Sequence, residues 1–309
     1  QILDDNGDVV EEWVSAAEPH TIYALAPGEY ILHEESAPTE AGYVRAEDVA
    51  FTVMETGEVQ KVSMKDDHTK VEITKTDITG ETEIEGAKLQ VLDKDGSVIE
   101  EWTSGKEPHL IERLPVGEYT LHEETAPDGY VVVSDVKFNV EETGEIQKVA
   151  MKNEPAMGQV LVKKTDSADG TPLAGVEFEI RNKVTKEVVG KLVTDENGEA
   201  RSEQLPIAVY EDGKMTEPIV YVLVETKPLD GYEEYTKEEE FVFTYQDQNT
   251  PVIEITKEIQ NTKIPGAKIT TAPKTGDMTN IWLPLALGGI SLGGIITAVI
   301  WIRRKHKRG

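Results

Sequence analysis

The chain of 309 residues contains no cysteine. That absence excludes disulfides, thiolate metal sites and cysteine nucleophiles. If the protein must stay folded in harsh surroundings, an oxidised thiol pair is not what holds it. Histidine is scarce as well. His20, His33, His68, His109, His122 and His306 are scattered and show no metal-ligand spacing, nor does any Ser/His/Asp-type catalytic set emerge. Positive charge is in short supply: 31 Lys and Arg face 59 Asp and Glu, a net charge of −28. Five of those basic residues crowd into the terminal "RRKHKRG", so the body is more acidic still. Such a body repels phosphates instead of releasing their counterions, which argues against nucleic acid as a partner. It suits a solvated, non-sticky exterior. Long apolar runs are missing until the C-terminal end. The chain opens at Gln1 in mid-pattern, which reads as a C-terminal fragment or a processed form.

The one long apolar run is "IWLPLALGGISLGGIITAVIWI", residues 281–302, without a charge. At 1.5 Å per residue it reaches about 33 Å, enough for a bilayer core of about 30 Å. Trp282 and Trp301 stand near its two ends, where interfacial aromatics belong. The basic tail 303–309 follows, so the positive-inside rule places it in the cytoplasm and residues 1–280 outside. Just before the span, in the Pro-, Thr- and Gly-rich linker 263–280, lies "APKTGD". Motif, apolar span and basic tail, in that order, resemble the cell-wall sorting signal of Gram-positive surface proteins, whose pattern is LPXTG. Pro273, Thr275 and Gly276 match, Lys274 fills the free position, and Ala272 replaces the leucine. The resemblance implies that a sortase cuts between Thr275 and Gly276 and joins Thr275 to an amine of the peptidoglycan cross-bridge or of a pilin. The helix would then touch the membrane only before processing, and the product would be extracellular and wall-anchored.

The body repeats itself. "GDVVEEWVSAAEPHTIYALAPGEYILHEESAP", from Gly7, matches "GSVIEEWTSGKEPHLIERLPVGEYTLHEETAP", from Gly96. "FTVMETGEVQKVSMKD" likewise matches "FNVEETGEIQKVAMKN". A third, divergent copy carries "GVEFEI", "YVLVETKPLDGY" and "VIEITKEIQN". The boundaries read as 1–67, lacking an opening strand, then 68–154 and 158–262. Within each copy, short alternating runs are separated by turns such as "DDNG", "DKDG" and "DENG", the mark of β-hairpins. Several such runs in one copy indicate a β-sandwich. The acidic turns lack the EF-hand spacing and read as plain turns. No cofactor or metal is expected.

Strand parity exposes an anomaly. In "KVEITKTD" Val71, Ile73 and Lys75 share a face, as do Tyr119, Leu121 and Glu123 in "YTLHEE". In "KVAMKN" Val149, Met151 and Asn153 do so. The third copy repeats this with Val160, Val162 and Lys164, with Tyr221, Leu223 and Glu225, and with Ile255, Ile259 and Asn261. Each complete copy therefore points a lysine, a glutamate and an asparagine inward. His33 and His122 fall on the outward face and read as solvated. Isolated buried charges are expensive, and burial disfavours both charged forms. The consistent state is a neutral amine beside a protonated carboxyl. A neutral amine is a nucleophile. Held against an asparagine side chain it can displace ammonia and leave an isopeptide bond, with the glutamate polarising the amide oxygen and shuttling protons.

The sequence here resembles the Cna-B repeats of Gram-positive adhesins and pilins. The likeness rests on the K-x-D strands (Lys75–Asp77, Lys164–Asp166), the Gly86-Ala87 and Gly175-Val176-Glu177-Phe178 strands, and the box Y-x-L-x-E-x-x-A-P-x-G-Y, complete in the second copy. The third copy departs from the box at Lys227-Pro228-Leu229, which leaves its turn open. The resemblance implies an all-β protein of tandem Ig-like or prealbumin-like sandwiches followed by one C-terminal transmembrane helix. It also implies autocatalytic bonds Lys75–Asn153, with Glu123, and Lys164–Asn261, with Glu225. The first copy keeps Glu34 and has Asp66 as acceptor but no donor lysine, so no bond is expected within residues 1–67. The function implied is a structural stalk of a sortase-anchored adhesin, not an enzyme, with a host-matrix or other surface ligand bound by a region upstream. The alternatives are a pilin subunit, although no Y-P-K segment occurs in residues 1–280, and the anchor of a surface enzyme whose catalytic domain lies upstream.

Overall fold

The computed structural model describes residues 1–267, and these form strands, turns and a single 3-10 turn at Thr39–Ala41. The sortase motif Ala272–Gly276, the apolar span 281–302 and the tail 303–309 lie outside the described residues. The all-β architecture appears as three successive units.

The second unit shows the plan. Its opening strand, Lys70–Asp77, is central in a three-stranded sheet. It pairs antiparallel with His109–Glu112 and parallel with the closing strand Ile146–Asn153. The parallel ladder sets Val149 opposite Ile73, Met151 opposite Lys75 and Asn153 opposite Asp77. A parallel pair needs a long crossover; here the rest of the unit is that crossover. It folds as a four-stranded antiparallel sheet ordered Val136–Val140, Gly117–Thr125, Lys88–Leu92, Val98–Thr103. Alternation buries one face of each sheet. Val71, Ile73, Val149 and Met151 meet Leu89, Val91, Tyr119 and Leu121 in one core. Full burial of a side chain such as Leu121 contributes about 1.5–3 kcal/mol.

The acidic turns are structural. In "DKDG" the Asp93 carboxylate accepts the N–H groups of Asp95 and Ser97, at 2.8 and 2.9 Å, and Gly96 takes φ +81°. Asp4 and Asp195 serve their own turns in the same way. An aspartate that closes its own turn replaces a backbone hydrogen bond and favours the reversal.

The third unit follows the same plan with longer strands. Met157–Asp166 runs parallel to Val252–Asn261 and antiparallel to Glu199–Arg201 and Leu205–Pro206. The facing sheet is ordered Val188–Val193, Glu177–Asn182, Tyr221–Lys227, Glu239–Phe241. Its core is richer in aromatics, with Phe178, Tyr221, Phe241 and Phe243 buried. Despite the sequence departure at Lys227-Pro228, the turn is retained. Leu229 O accepts Tyr232 N at 3.0 Å, as Pro127 O accepts Tyr130 N at 3.0 Å, and Gly231 and Gly129 share positive φ. A hairpin, Ala208–Glu211 with Lys214–Pro218, is added and leans toward the second unit.

The first unit has the four-stranded sheet, ordered Val9–Glu11, Ile2–Leu3, Gly28–Leu32, Val49–Val53, and opposite it only a two-residue antiparallel ladder of Tyr43–Val44 with Asp67–His68. Residues 54–66, which parallel the closing strand of the second unit in sequence, form no strand. In the second unit that strand is held by its ladder to Lys70–Asp77, and residues 1–68 offer no equivalent ladder.

Candidate functional site

The two parallel ladders each bring a lysine and an asparagine to the same end of the sandwich, and the facing sheet supplies a glutamate. In the second unit Lys75, Glu123 and Asn153 are 2%, 1% and 0% exposed, figures usual for core leucines rather than for charged groups. Lys75 Nζ lies 2.9 Å from Glu123 Oε1. That approach is off the axis of an aligned hydrogen bond, and the amine has no other partner. Asn153 Nδ2 meets both carboxylate oxygens at 3.0 Å and donates to Val131 O at 2.8 Å. A carbonyl oxygen only accepts, so Val131 fixes which way the amide faces. Asn153 Oδ1 is buried without a donor. Glu123 is itself held by the N–H of Val133 on Oε2, at 2.9 Å.

The third unit assembles the same trio. Lys164, Glu225 and Asn261 are 0%, 3% and 2% exposed. Glu225 divides its oxygens: Oε2 lies 3.0 Å from Lys164 Nζ, and Oε1 accepts Asn261 Nδ2 at 2.8 Å. Lys164 Nζ also touches Asn261 Oδ1. Tyr235 N donates to Glu225 Oε1 at 3.2 Å, in the place of Val133. The rings of Tyr235 and Phe178 cover the amine, at 5.3 and 5.9 Å from their centroids. In both units burial pushes the lysine amine below its ordinary pKa of 10.5, and the nearby glutamate only partly opposes this. The amines are thereby shifted toward the neutral form.

In the first unit Glu34 keeps the glutamate's backbone contact, accepting Ala46 N on Oε2 at 2.7 Å. Asp66 is half-buried, just before the short strand Asp67–His68. The structure does not bring the two together, and among the described residues no lysine amine reaches Glu34. His33 and His122 lie on the outward face, each bonded through Nδ1 to an aspartate at 2.7 Å, Asp48 and Asp135 respectively.

Sequence reading missed the backbone holders, Val131 and Val133, because main-chain groups leave no mark in residue types. It also missed a second buried carboxylate. Asp166 pairs with Lys263 at 2.8 Å, accepts the Ala168 N–H at 2.7 Å and the Tyr232 hydroxyl at 2.9 Å, and these partners hold its pKa down to about 2. Its signal was present as the aspartate of the K-x-D strand.

The fold and the repeated trio define a class, tandem prealbumin-like sandwiches, of which the second and third each bury a lysine of the first strand and an asparagine of the last against a glutamate of the facing sheet. The SpaA prealbumin-like fold domain model matches three times, over residues 1–68, 69–155 and 158–259, and the chain belongs to that family. Among curated proteins, none matches. Among solved structures, the Bacillus anthracis TIE protein is 29% identical, with 77% of this chain covered and a TM-score of 0.49. The chain spans 43% of that protein's length. A streptococcal ancillary pilin is 18% identical, with 78% of this chain and 76% of the pilin covered, at a TM-score of 0.30. The shaft pilin SpaA of Lactobacillus rhamnosus GG is 15% identical, with 63% and 98% covered, at a TM-score of 0.25.

Proposed function

We propose that the chain is a structural stalk of a Gram-positive surface protein, anchored through Ala272–Gly276 by a sortase, and that its second and third domains each close on a self-formed isopeptide bond. The observation that carries this reading is Glu225, whose two oxygens are divided between the lysine and asparagine nitrogens, at 3.0 and 2.8 Å.

The chemistry follows from those contacts. The neutral Nζ attacks Cγ of the asparagine. A bond forms between Nζ and Cγ, and the bond from Cγ to Nδ2 breaks. One proton must move from the lysine nitrogen to the departing amide nitrogen, which leaves as ammonia. The glutamate touches both nitrogens and ends in the protonation state in which it began. Its contact is with the amide nitrogen, so its part is proton transfer and not polarisation of the oxygen. Burial excludes water that would compete for the protons, and folding supplies the approach. Each site acts once on its own chain, so the protein is not an enzyme. In the first domain no bond forms within residues 1–67; Glu34 as proton relay and Asp66 as acceptor would serve only a lysine from outside them, with water leaving in place of ammonia.

Intact mass of residues 1–267, followed by digestion, tests the reading. It requires the loss of two ammonias and two branched peptides, Lys75–Asn153 and Lys164–Asn261; an unchanged mass refutes it. The second reading is a pilin subunit; pilins are among the solved structures matched, a likeness of fold alone. Sortase-dependent ladders on a denaturing gel separate it from a single anchored stalk.

A further inference from the structure

The segment that frames the second domain's site is also gripped by the third domain. Residues 131–133 alternate in their duties. Val131 O holds the Asn153 amide and Val133 N holds the Glu123 carboxylate. The N–H between them, on Val132, donates across the junction to Gln248 O at 2.9 Å. The Gln248 side chain reaches the other side of the same turn. Its Oε1 accepts Ala126 N at 2.7 Å and its Nε2 donates to Glu124 O at 3.4 Å, directly after Glu123 in the chain. Gln248 thus ties the exit of the glutamate strand to the segment that returns past the asparagine. Two tyrosines complete the grip: Tyr245 donates to Tyr130 O at 3.0 Å, and Tyr210, from the added hairpin, donates to Gly129 O at 2.6 Å. The Tyr210 ring stands edge-on to Tyr130 with centroids 5.1 Å apart, closing a small buried cluster of Ile84, Ala126 and Tyr130.

The first junction repeats the device. Arg45 is the equivalent of Val132, one residue before the Ala46 N–H that holds Glu34. Its N–H donates to Glu142 Oε1 of the second domain at 3.3 Å. Glu142 and Gln248 occupy the same loop of their domains, between the edge strand of the four-stranded sheet and the closing strand. The Val131 N–H stays within the second domain, donating to Glu154 O at 3.0 Å. At both junctions, therefore, the following domain takes hold of the N–H directly before the one that holds the glutamate. The third domain's counterpart, Glu234, has no such partner among the described residues.

We propose that the third domain completes the second domain's site, with Gln248 as its positioning residue, so that the Lys75–Asn153 bond forms at full rate only after the third domain has folded and docked. The Lys164–Asn261 bond needs its own domain alone. This inference rests on the cross-linking reading above. Its physical basis is the steep dependence of an intramolecular attack on geometry, where a displacement of about 1 Å costs on the order of a hundredfold. The consequence is an order of locking. The second domain stays free to rearrange until its successor is in place, and only then becomes covalently closed.

The test follows both bonds in one chain. The full chain is made by cell-free synthesis with detergent present, quenched at intervals, digested, and its two branched peptides quantified. The double variant Gln248→Ala/Tyr245→Phe should slow Lys75–Asn153 formation by about tenfold or more. Lys164–Asn261 should keep its wild-type rate, which reports that the third domain folds. Gln248→Glu, which retains an acceptor for Ala126 and the main-chain contact to Val132, should restore most of the rate. In a background with Trp13, Trp282 and Trp301 replaced by phenylalanine, Trp102 fluorescence should show the second domain folded in every variant, an outcome a merely structural defect would not give. Unchanged rates for both bonds, or equal slowing of both, would overturn the inference and leave the cross-linking reading intact. Absence of both branched peptides from the wild type would overturn that reading and this inference with it.

Discussion

Replacing Lys75 by methionine removes the amine and keeps a chain of similar length in the core. With the cross-link, the wild-type domain carries a closed loop of about 80 residues, worth about 4.5 kcal/mol by loop entropy. Loss of that closure should lower the second domain's melting temperature by about 20–35 °C. The single variant does not decide the matter, however. Lys75 and Glu123 are both buried, and breaking a buried ion pair from one side costs about 3–5 kcal/mol with no covalent bond involved. The double variant Lys75→Met/Glu123→Gln separates the two accounts. It leaves an acceptor at position 123 for Val133 N and Asn153 Nδ2, the contacts Glu123 now makes. If only an ion pair were present, replacing both charges would be neutral or stabilising by about 1–4 kcal/mol. If the bond is present, the double variant stays about 4.5 kcal/mol below the wild type. Thermal and urea unfolding of residues 1–267, with Trp13→Phe so that Trp102 is the sole tryptophan, reads this domain directly. A double variant within about 1 kcal/mol of wild type would refute the cross-link.

Three further outcomes follow from the structure. Because burial holds Lys75 and Lys164 below 10.5, the reactive neutral amine grows as pH rises through the lowered value; bond formation, timed by mass spectrometry during synthesis, should rise with pH and level off before 10.5, and a rate that falls with pH would exclude attack by the amine. Gly198 has φ +70°, and a Cβ there would sit 2.4 Å from Lys164 O, so Gly198→Ala should cost about 2–4 kcal/mol and slow the third domain's bond, seen in its melting and its branched peptide. Asp166, held at about 2 against an ordinary 3.8, contributes stability that is present above 3.8 and lost as pH falls through about 2. Lys263→Ala should therefore move the acid transition of the third domain to higher pH, as followed by circular dichroism, and an unmoved midpoint would show the Lys263 contact to be inert.

Strand parity made much of the site legible. A period of two leaves little freedom, so Val71 and Ile73 carry Lys75 inward, and Tyr119 and Leu121 carry Glu123. Repetition in a divergent copy made the pattern hard to ascribe to chance. What stayed hidden was whatever depends on main-chain groups or distant sequence. Nothing about residues 130–133 distinguishes the carbonyl that turns the Asn153 amide from the N–H that holds Glu123. Gln248 lies 122 residues from Ala126, and only the added hairpin and the docked third domain bring them together. The third copy's turn was open in sequence because Lys227-Pro228 breaks the box, yet the Asp-Gly-Tyr that follows suffices, since the reversal rests on a glycine at positive φ and one backbone bond. The aromatic wall over Lys164 was visible as residues but not as a wall, because Phe178 and Tyr235 come from different strands and loops.

The placement of the two trios explains why a stalk would join these strands and no others. Adjacent domains follow one another directly, so tension along the chain enters a domain at the start of its opening strand and leaves at the end of its closing strand. Those strands are parallel neighbours, and their far ends lie side by side, Asp77 opposite Asn153 and Asp166 opposite Asn261. Without a bond, the load would run through every residue between, and the ladder would bear it in shear. With the bond, the load passes along Lys70 to Lys75, crosses to Asn153 and enters the next domain at once. The four-stranded sheet and most of the closing strand drop out of the force path. A link anywhere else in the sandwich would leave more chain under tension. A disulfide at the same place would serve mechanically but would depend on an oxidant. The absence of cysteine and the burial of a lysine beside an asparagine are, on this reading, two sides of one solution: a covalent closure that requires only that the domain, and its neighbour, be folded.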